Sequence, residues 1–116
     1  MKRQIIVIVT IDTECDKGPS WLIRHPLQFE SINVGIPNVL MPLFRRFNIK
    51  PTFLLSPEVI QDMQASQTLS EMSDCELGTH LHGEFIPPDD NPCADRTDIP
   101  QLSYAPEVER EKLVNL

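Results

Sequence analysis

Carboxylates and imidazoles occur in this sequence in two short patterns that could bind a metal ion. The first pattern is Asp12 and Glu14, and the second is His80, His82 and Glu84. Within each pattern the residues alternate along the chain, and alternate side chains of an extended backbone point to the same side. Two imidazoles with carboxylates form a natural ligand set for Zn²⁺ or another borderline divalent ion.

The elements that must position these residues are predicted to be strands of a parallel sheet. Residues 5–9, IIVIV, form an unbroken run of β-formers, which is typical of a strand buried on both faces. Residues 50–56 predict a second strand, and residues 75–84 predict a third strand that runs into a loop. Because ligands bind at the carboxyl ends of parallel strands, we expect both patterns to meet at one edge of the sheet.

Helices are predicted between these strands. Residues 35–49 carry a helical stripe of apolar side chains and end near Asn48; the stripe comprises Ile36, Val39, Leu40, Leu43, Phe44 and Phe47. Ser56 and Pro57 begin a second helix, which reaches about Met72 with a break near residues 65–66. Its predicted buried side comprises Val59, Ile60, Met63, Leu69 and Met72. Residues 85–103 are loop-like, and Pro106 opens a last helix.

The alternation of strands and helices predicts an α/β fold with three parallel strands and right-handed crossovers. The chain has 116 residues, one domain at most. Three strands make a thin sheet, and a complete (β/α) barrel takes about 250 residues. We therefore expect this chain to form the first part of a larger unit.

Composition excludes several classes of function. The net charge of −7 argues against nucleic-acid binding, which needs a basic patch. No segment approaches the roughly 20 apolar residues of a membrane helix. Cys15, Cys75 and Cys93 form no CxxC pair, so we expect free thiols in a cytoplasmic protein. Trp21 is expected to anchor its loop to the core, and His25 to lie on the surface.

The chemistry of the two patterns depends on their meeting. Alone, an HxH pair or two carboxylates could be a solvated strand end, and Asp12 could be a helix cap. Together, one carboxylate can bind a metal ion while the other takes a proton from bound water. A cation lowers the pKa of that water and polarises a carbonyl, as hydrolysis of an amide or ester requires.

Three segments resemble motifs of the polysaccharide deacetylase superfamily, the NodB-homology or carbohydrate esterase-like domains. Residues 10–14, TIDTE, resemble the first motif, which has the form Asp-x-Asp/Glu at the end of the first strand. Residues 50–56, KPTFLLS, resemble the second strand, and residues 76–82, ELGTHLH, resemble the second motif. The resemblance covers nearly the whole chain in the same order.

This resemblance implies metal-dependent removal of N-acetyl groups from amino sugars, on a distorted (β/α) barrel. It implies that Asp12 is the catalytic base, with Glu14 and His80 as metal ligands. The superfamily's second histidine usually lies four residues after the first. That position is Glu84 here, whereas His82 comes two residues after His80. Either residue could complete the ligand set, and the softer ligand favours His82.

The sequence also departs from the superfamily, because no segment matches its arginine motif or its late histidine, the general acid. We therefore expect the chain to hold the metal half of an active site. A second chain or self-association would then cover the open sheet edge. The alternatives are an inactive, truncated fragment that binds metal or a partner chain, or a hydrolase acting on another C–N bond, as in a cyclic amide.

Overall fold

A computed structural model describes residues 3–88 and 104–116, and its centre is an open sheet of three parallel strands. The strands are β1 (Thr10–Thr13), β2 (Thr52–Leu55) and β3 (Glu76–Thr79), in the order β1-β2-β3. The register aligns Thr13 with Leu55 and Leu55 with Thr79, so all three carboxyl ends lie at one edge. We call this edge the carboxyl rim. The predicted α/β pattern of three parallel strands is confirmed.

The apolar run before β1 differs from its prediction. Residues 5–9 lie outside β1, which begins at Thr10, and residues 5–8 are between 78% and 85% exposed, so both the strand predicted for this run and its expected burial are wrong. The amide of Thr52, the first residue of β2, donates to the carbonyl of Val9 at 3.0 Å. Residues 5–8 therefore extend past the start of their partner strand, where they are solvent-exposed.

The first crossover contains a π-helical segment, Ser31–Leu40, which continues into α1 (Met41–Arg46). At the start of this segment, the Asp16 carboxylate accepts hydrogen bonds from the amides of Glu30 at 2.7 Å and Ser31 at 3.2 Å. Asn48 has a φ of 52° and follows the end of α1. The predicted stop at Asn48 is confirmed, since this left-handed geometry is a usual way to end a helix.

The predicted apolar stripe of this helix is only partly buried. Ile36 is buried, but Val39 and Phe47 are more than 60% exposed. The amide of Met41 bonds to the carbonyl of Ile36, five residues back, rather than to the fourth. Because the turn is wider, the side chains that face the core do not follow the predicted period of 3.6 residues. Ile32 and Met41 are core residues, although the predicted stripe does not include them.

The second crossover contains α2 (Pro57–Gln61) and α3 (Met63–Ser70). The break lies at Asp62 rather than at residues 65–66, because the Asp62 carboxylate caps α3 by accepting from the amide of Ala65 at 2.8 Å. Of the predicted buried side, Val59 and Leu69 are buried and Met72 is half-buried, whereas Ile60 and Met63 are exposed. A 3₁₀ turn, Gly83–Phe85, follows β3.

The last described helix is α4 (Pro106–Asn115), which confirms the predicted start at Pro106. Most of the predicted loop at residues 85–103, including Cys93, lies outside the described residues. No helix within the described ranges is long and apolar enough to cross a membrane.

The core lies on one face of the sheet. Phe53 and Leu55 alternate along β2 with half-buried neighbours and are the buried residues of that strand. They pack against residues of both crossovers: Ile32, Ile36, Met41, Val59, Ala65 and Leu69. The π-helical segment and α3 also contact each other. Both crossovers therefore cover the same face of the sheet.

Candidate metal centre

Residues of all three strand ends meet at the carboxyl rim. Glu14 comes just after β1, Ser56 directly follows β2, and His80 directly follows β3. The ladder continues one step beyond the strands: the Ser56 amide donates to Thr13 at 3.1 Å, and the His80 amide donates to Leu55 at 2.8 Å. This regular backbone pairing fixes the positions of the Cα atoms from which the side chains of the rim extend.

The Glu14 carboxylate lies between two imidazoles. Its Oε1 is 3.3 Å from Nε2 of His80, and its Oε2 is 3.2 Å from Nε2 of His82. One ligand atom from each of these three residues lies within 4.8 Å of the other two. The structure thus brings the Glu14 carboxylate together with two imidazoles that follow it by 66 and 68 residues in the sequence.

These separations fit a zinc ion. Zinc bonds of 2.0–2.1 Å to nitrogen and oxygen in a tetrahedron put neighbouring ligand atoms about 3.3 Å apart. The distances from Oε1 to His80, 3.3 Å, and from Oε2 to His82, 3.2 Å, belong to different oxygens of Glu14, and each is close to that value. Two histidines and one carboxylate are also the ligands of catalytic zinc sites that keep a fourth position for water. The residues present therefore suit this ion.

The same contacts control the protonation of the site. A hydrogen bond with His82 and the nearby Lys17 ammonium outweigh burial and lower the pKa of Glu14 to about 2. Burial opposes the charge of the His82 imidazolium, but Glu14 and Glu84 overcome this effect and raise the pKa of His82 to about 9. A metal ion at this site must therefore compete with a proton for the Nε2 of His82.

Glu84 takes a different position from the other predicted ligands. Its Oε2 lies 2.7 Å from Nδ1 of His82, the ring nitrogen that faces away from Glu14. Nδ1 of His82 and the other carboxylate oxygen, Oε1 of Glu84, are buried without a hydrogen-bond partner. Glu84 therefore lies against the second ring nitrogen of His82, where carboxylates that orient metal-binding histidines are found.

Asp12, the predicted base, lies at the edge of the cluster. Its Oδ1 is 3.9 Å from Nδ1 of His80, and its side chain is 60% exposed. It is absent from the three-residue cluster of Glu14, His80 and His82. Asp12 is thus a solvent-accessible carboxylate beside the cluster.

A buried hydrogen-bond network behind Glu14 was not foreseen from the sequence. Glu58 Oε1 accepts from the amide of Cys15 at 3.0 Å and from the hydroxyl of Ser56 at 2.6 Å. Ser56 Oγ also lies 3.1 Å from the carbonyl of Thr13. Glu58 thus holds the backbone directly after Glu14, and it contacts Ser56, whose amide and hydroxyl approach the Thr13 carbonyl before Glu14. The sequence pattern here, Glu58 after Ser-Pro, indicates only an acidic first turn of a helix.

Cys15 is a buried free thiol. Burial and the nearby Glu58 carboxylate raise the pKa of Cys15 to about 12, so the thiol stays protonated and is a core residue. His25 is exposed, as predicted. Trp21, in contrast, is 76% exposed, and the prediction that it anchors the loop is wrong.

Lys112 of α4 supports the turn that carries His82. It is 1% exposed, and its Nζ donates to the carbonyls of Gly83 at 2.8 Å and Ile86 at 2.5 Å, and to Pro88. The Tyr104 ring lies 5.1 Å from the same ammonium and packs against Gly83, where a larger residue would not fit. The ammonium thus ties α4 to the segment that follows β3.

Comparisons with models of protein families, with curated proteins and with solved structures found no match to this chain. What the site can do is therefore deduced from its own contacts. Those contacts define a carboxylate with two imidazoles, a nearby exposed carboxylate, and two buried supports.

Proposed function

We propose that this chain carries the metal site of a divalent-metal-dependent hydrolase that removes N-acetyl groups from amino-sugar polysaccharide or its precursors. The observation that carries the proposal is the position of the Glu14 carboxylate between the Nε2 atoms of His80 and His82. Zinc is the ion that this ligand set favours. The resemblance of residues 10–14 and 76–82 to deacetylase motifs supplies the substrate class.

Each residue of the site has a role in this proposal. Glu14, His80 and His82 hold the ion, which would supply the positive charge that acidifies water and polarises an amide carbonyl. Asp12 is the base that accepts the proton from water, because its exposed carboxylate lies next to His80. Glu84 orients His82 from the opposite side of the ring. Glu14 cannot serve as base, since its low pKa makes it a poor proton acceptor.

The architecture supports a barrel as the parent fold. Both crossovers pack on the face of the sheet where β2 buries Phe53 and Leu55. Asp12 pairs with Leu54, which alternates with these two residues, so Asp12 lies on the opposite face. A (β/α) barrel places all its helices on one face in this way, whereas a doubly wound sheet uses both faces. We propose that this chain contributes the first three strands of a distorted barrel.

A second candidate function is metal or partner binding without catalysis. The observation in its favour is the exposed apolar run at residues 5–8, which leads into β1 at an edge of the described sheet. An exposed apolar segment next to an edge strand is a site where another chain can add. In this case a partner chain, or a second copy, would cover the edge.

Calorimetric titration with Zn²⁺ tests the metal centre. We expect one site in the wild type and none in the double variant His80→Ala/His82→Ala. His25→Ala is the matched control, because His25 is exposed in a loop and should bind the ion as the wild type does. Absence of zinc binding, or equal binding by the double variant, would contradict the proposal.

A deacetylase assay then separates the two candidate functions. Release of acetate from a chitooligosaccharide by the zinc-loaded chain, and its loss in Asp12→Asn, supports the enzyme. Zinc binding without acetate release supports the binding function. Turnover of a cyclic amide instead of the sugar would identify the other C–N hydrolase that the resemblance leaves open.

A further inference from the structure

We propose that Trp21 forms a sugar-binding subsite beside the metal centre, where its ring stacks on a neutral N-acetylated hexosamine. This inference rests on the proposed function for its substrate class. It adds a residue and a surface that the ligand set and the motifs do not assign.

The loop that carries Trp21 has a defined structure. Lys17 and Ile23 form an antiparallel bridge, and the amide of Gly18 donates to the carbonyl of Leu22 at 2.9 Å. The amide of Trp21 donates to the carbonyl of Gly18, also at 2.9 Å. Trp21 is thus held at the tip of a short hairpin by backbone hydrogen bonds.

Two features of Trp21 are unfavourable for the isolated chain. Its φ is 60°, in the left-handed region that bulky residues rarely adopt, and its side chain is 76% exposed. Neither feature improves the core, because the ring packs little of its surface. Backbone strain combined with an exposed aromatic ring is typical of a residue that contacts a ligand.

The hairpin forms one wall of a cleft that reaches the metal centre. The cleft has a volume of about 1010 Å³, and its lining includes Asp12, Glu14, Asp16, Lys17, Trp21 and Glu30. Lys17 lies between the metal centre and Trp21: its ammonium pairs with Glu14 and lies 5.8 Å from the centre of the Trp21 ring. Adding a hydrogen-bond length puts the ring centre within about 9 Å of the Glu14 carboxylate.

The chemistry of the cleft selects the ligand. An aromatic ring offers a flat apolar face to the C–H groups of a sugar, and carboxylates accept hydrogen bonds from its hydroxyl and amide groups. Four carboxylates and one ammonium line the cleft, so its charge is negative. A neutral N-acetylated sugar fits this field, whereas a uronic acid is repelled.

The protein contains one tryptophan, so its fluorescence reports on the proposed subsite directly. Chitotetraose is the probe, titrated into the metal-free full chain, where no cation offsets the negative charge of the cleft, with oligogalacturonate as the anionic comparison. We expect a saturable blue shift with chitotetraose and none with oligogalacturonate. No shift with chitotetraose, or an equal shift with the anionic sugar, would overturn the inference.

Variants give a second measurement, by calorimetry with chitotetraose. Trp21→Ala should weaken binding about tenfold, the loss of one stacking contact, while Trp21→Phe stays within about threefold. Phe47→Ala is the matched control, because Phe47 is also an exposed aromatic residue but lines no part of the cleft. Equal affinities of wild type and Trp21→Ala would refute the subsite.

Failure of this inference is distinguishable from failure of the proposed function. If Trp21→Ala binds zinc and chitotetraose as the wild type does, the metal centre stands and the subsite is wrong. If zinc does not bind but chitotetraose still shifts the fluorescence, the subsite stands and the proposed hydrolase is wrong. Stacking of a cyclic amide in place of the sugar would overturn the sugar assignment.

Discussion

The buried carboxylate of Glu58 accepts a hydrogen bond at 3.0 Å from the backbone amide of Cys15, 43 residues earlier in the chain. Cys15 directly follows Glu14, and Glu58 also accepts from Ser56, which lies beside Thr13. One side chain of α2 therefore fixes the backbone directly after the central carboxylate of the candidate metal centre, and it contacts Ser56, which approaches the backbone before it.

We expect Glu58→Ala to destabilise the protein by roughly 1–3 kcal/mol, since the buried Cys15 amide loses its acceptor and the Ser56 hydroxyl loses one of its two acceptors. Zinc affinity should fall as well, because Glu14 loses its backbone support. Glu58→Gln keeps an acceptor oxygen and should cost much less. Urea unfolding measures the change, with Glu111→Ala as an exposed helical control; a loss of less than about 0.5 kcal/mol, typical of surface changes, would contradict this role.

The positions of His82 and Glu84 predict different effects on zinc binding. His82→Ala removes a ligand and should abolish binding in the micromolar range. Glu84→Gln should lower affinity by about 10- to 100-fold, as for other groups that orient a ligating histidine. Calorimetry distinguishes the two, and the opposite order would assign the third ligand to Glu84.

Metal binding should release a proton at neutral pH. Glu14 and Glu84 raise the pKa of His82 to about 9, so this imidazole is protonated at pH 7 without metal. Zinc must displace that proton, and we expect about one proton released per ion and tighter binding as pH rises towards 9. Titrations in two buffers of different ionisation enthalpy count the proton; identical apparent enthalpies would disprove the exchange.

The metal-free protein should be most stable in mildly acidic solution, as far as this cluster is concerned. Glu14 has its pKa lowered from 4.5 to about 2, so its contribution is present above pH 4.5 and is lost as pH falls towards 2. His82 has its pKa raised from 6.5 to about 9, so its contribution is present below pH 6.5 and is lost as pH rises through 9.

Both contributions are therefore complete only between pH 4.5 and 6.5. Because Glu14 and His82 are partners, the two effects belong to one ion pair and do not add. We expect a change on the order of 1–3 kcal/mol between pH 5.5 and pH 9.5. Urea unfolding with a chelator present measures it, and Glu14→Gln should flatten the profile; an unchanged profile in that variant would rule out the pair as its cause.

Lys112→Met should lower both stability and zinc affinity. The substitution keeps the apolar stem but leaves the carbonyls of Gly83 and Ile86 without their donor, at a cost of about 2–4 kcal/mol. Lys50→Met is the matched control, because Lys50 is exposed and makes only a surface ion pair with Glu76. Similar thermal unfolding of both variants would show that α4 does not support the turn.

Much of the fold was predictable because strong local signals agree with tertiary structure. Ser56-Pro57 and Pro106 begin helices, and Asn48 ends one, where backbone chemistry alone predicts these boundaries. The parallel order followed from alternation of strands and helices. The predictions were wrong where burial depends on neighbouring segments. Residues 5–8 have strong β-propensity, but nothing in the described ranges packs on them.

The sequence predicted that Glu14, His80 and His82 lie close together, but it did not predict the residues that support them. Period-two spacing correctly placed His80 and His82 on the side of Glu14, although Glu84 contacts the far nitrogen of His82 because the chain turns into a 3₁₀ helix at Gly83. Lys112 and Glu58 could not be assigned from sequence. Their roles depend on contacts with backbone groups of distant segments, which leave no residue pattern in the chain.

The strand alignment has a further consequence for how the centre is assembled. Leu55 pairs with Thr79, which puts His80 one step beyond the ladder and opposite Glu14. A slip of β3 by a single residue would turn every side chain of that segment over and offer Leu81 to the carboxylate in place of an imidazole. Zinc titration of a refolded sample therefore also tests whether β3 pairs with β2 in the correct register. Circular dichroism would not detect a shift of one residue, because the amount of strand would stay the same.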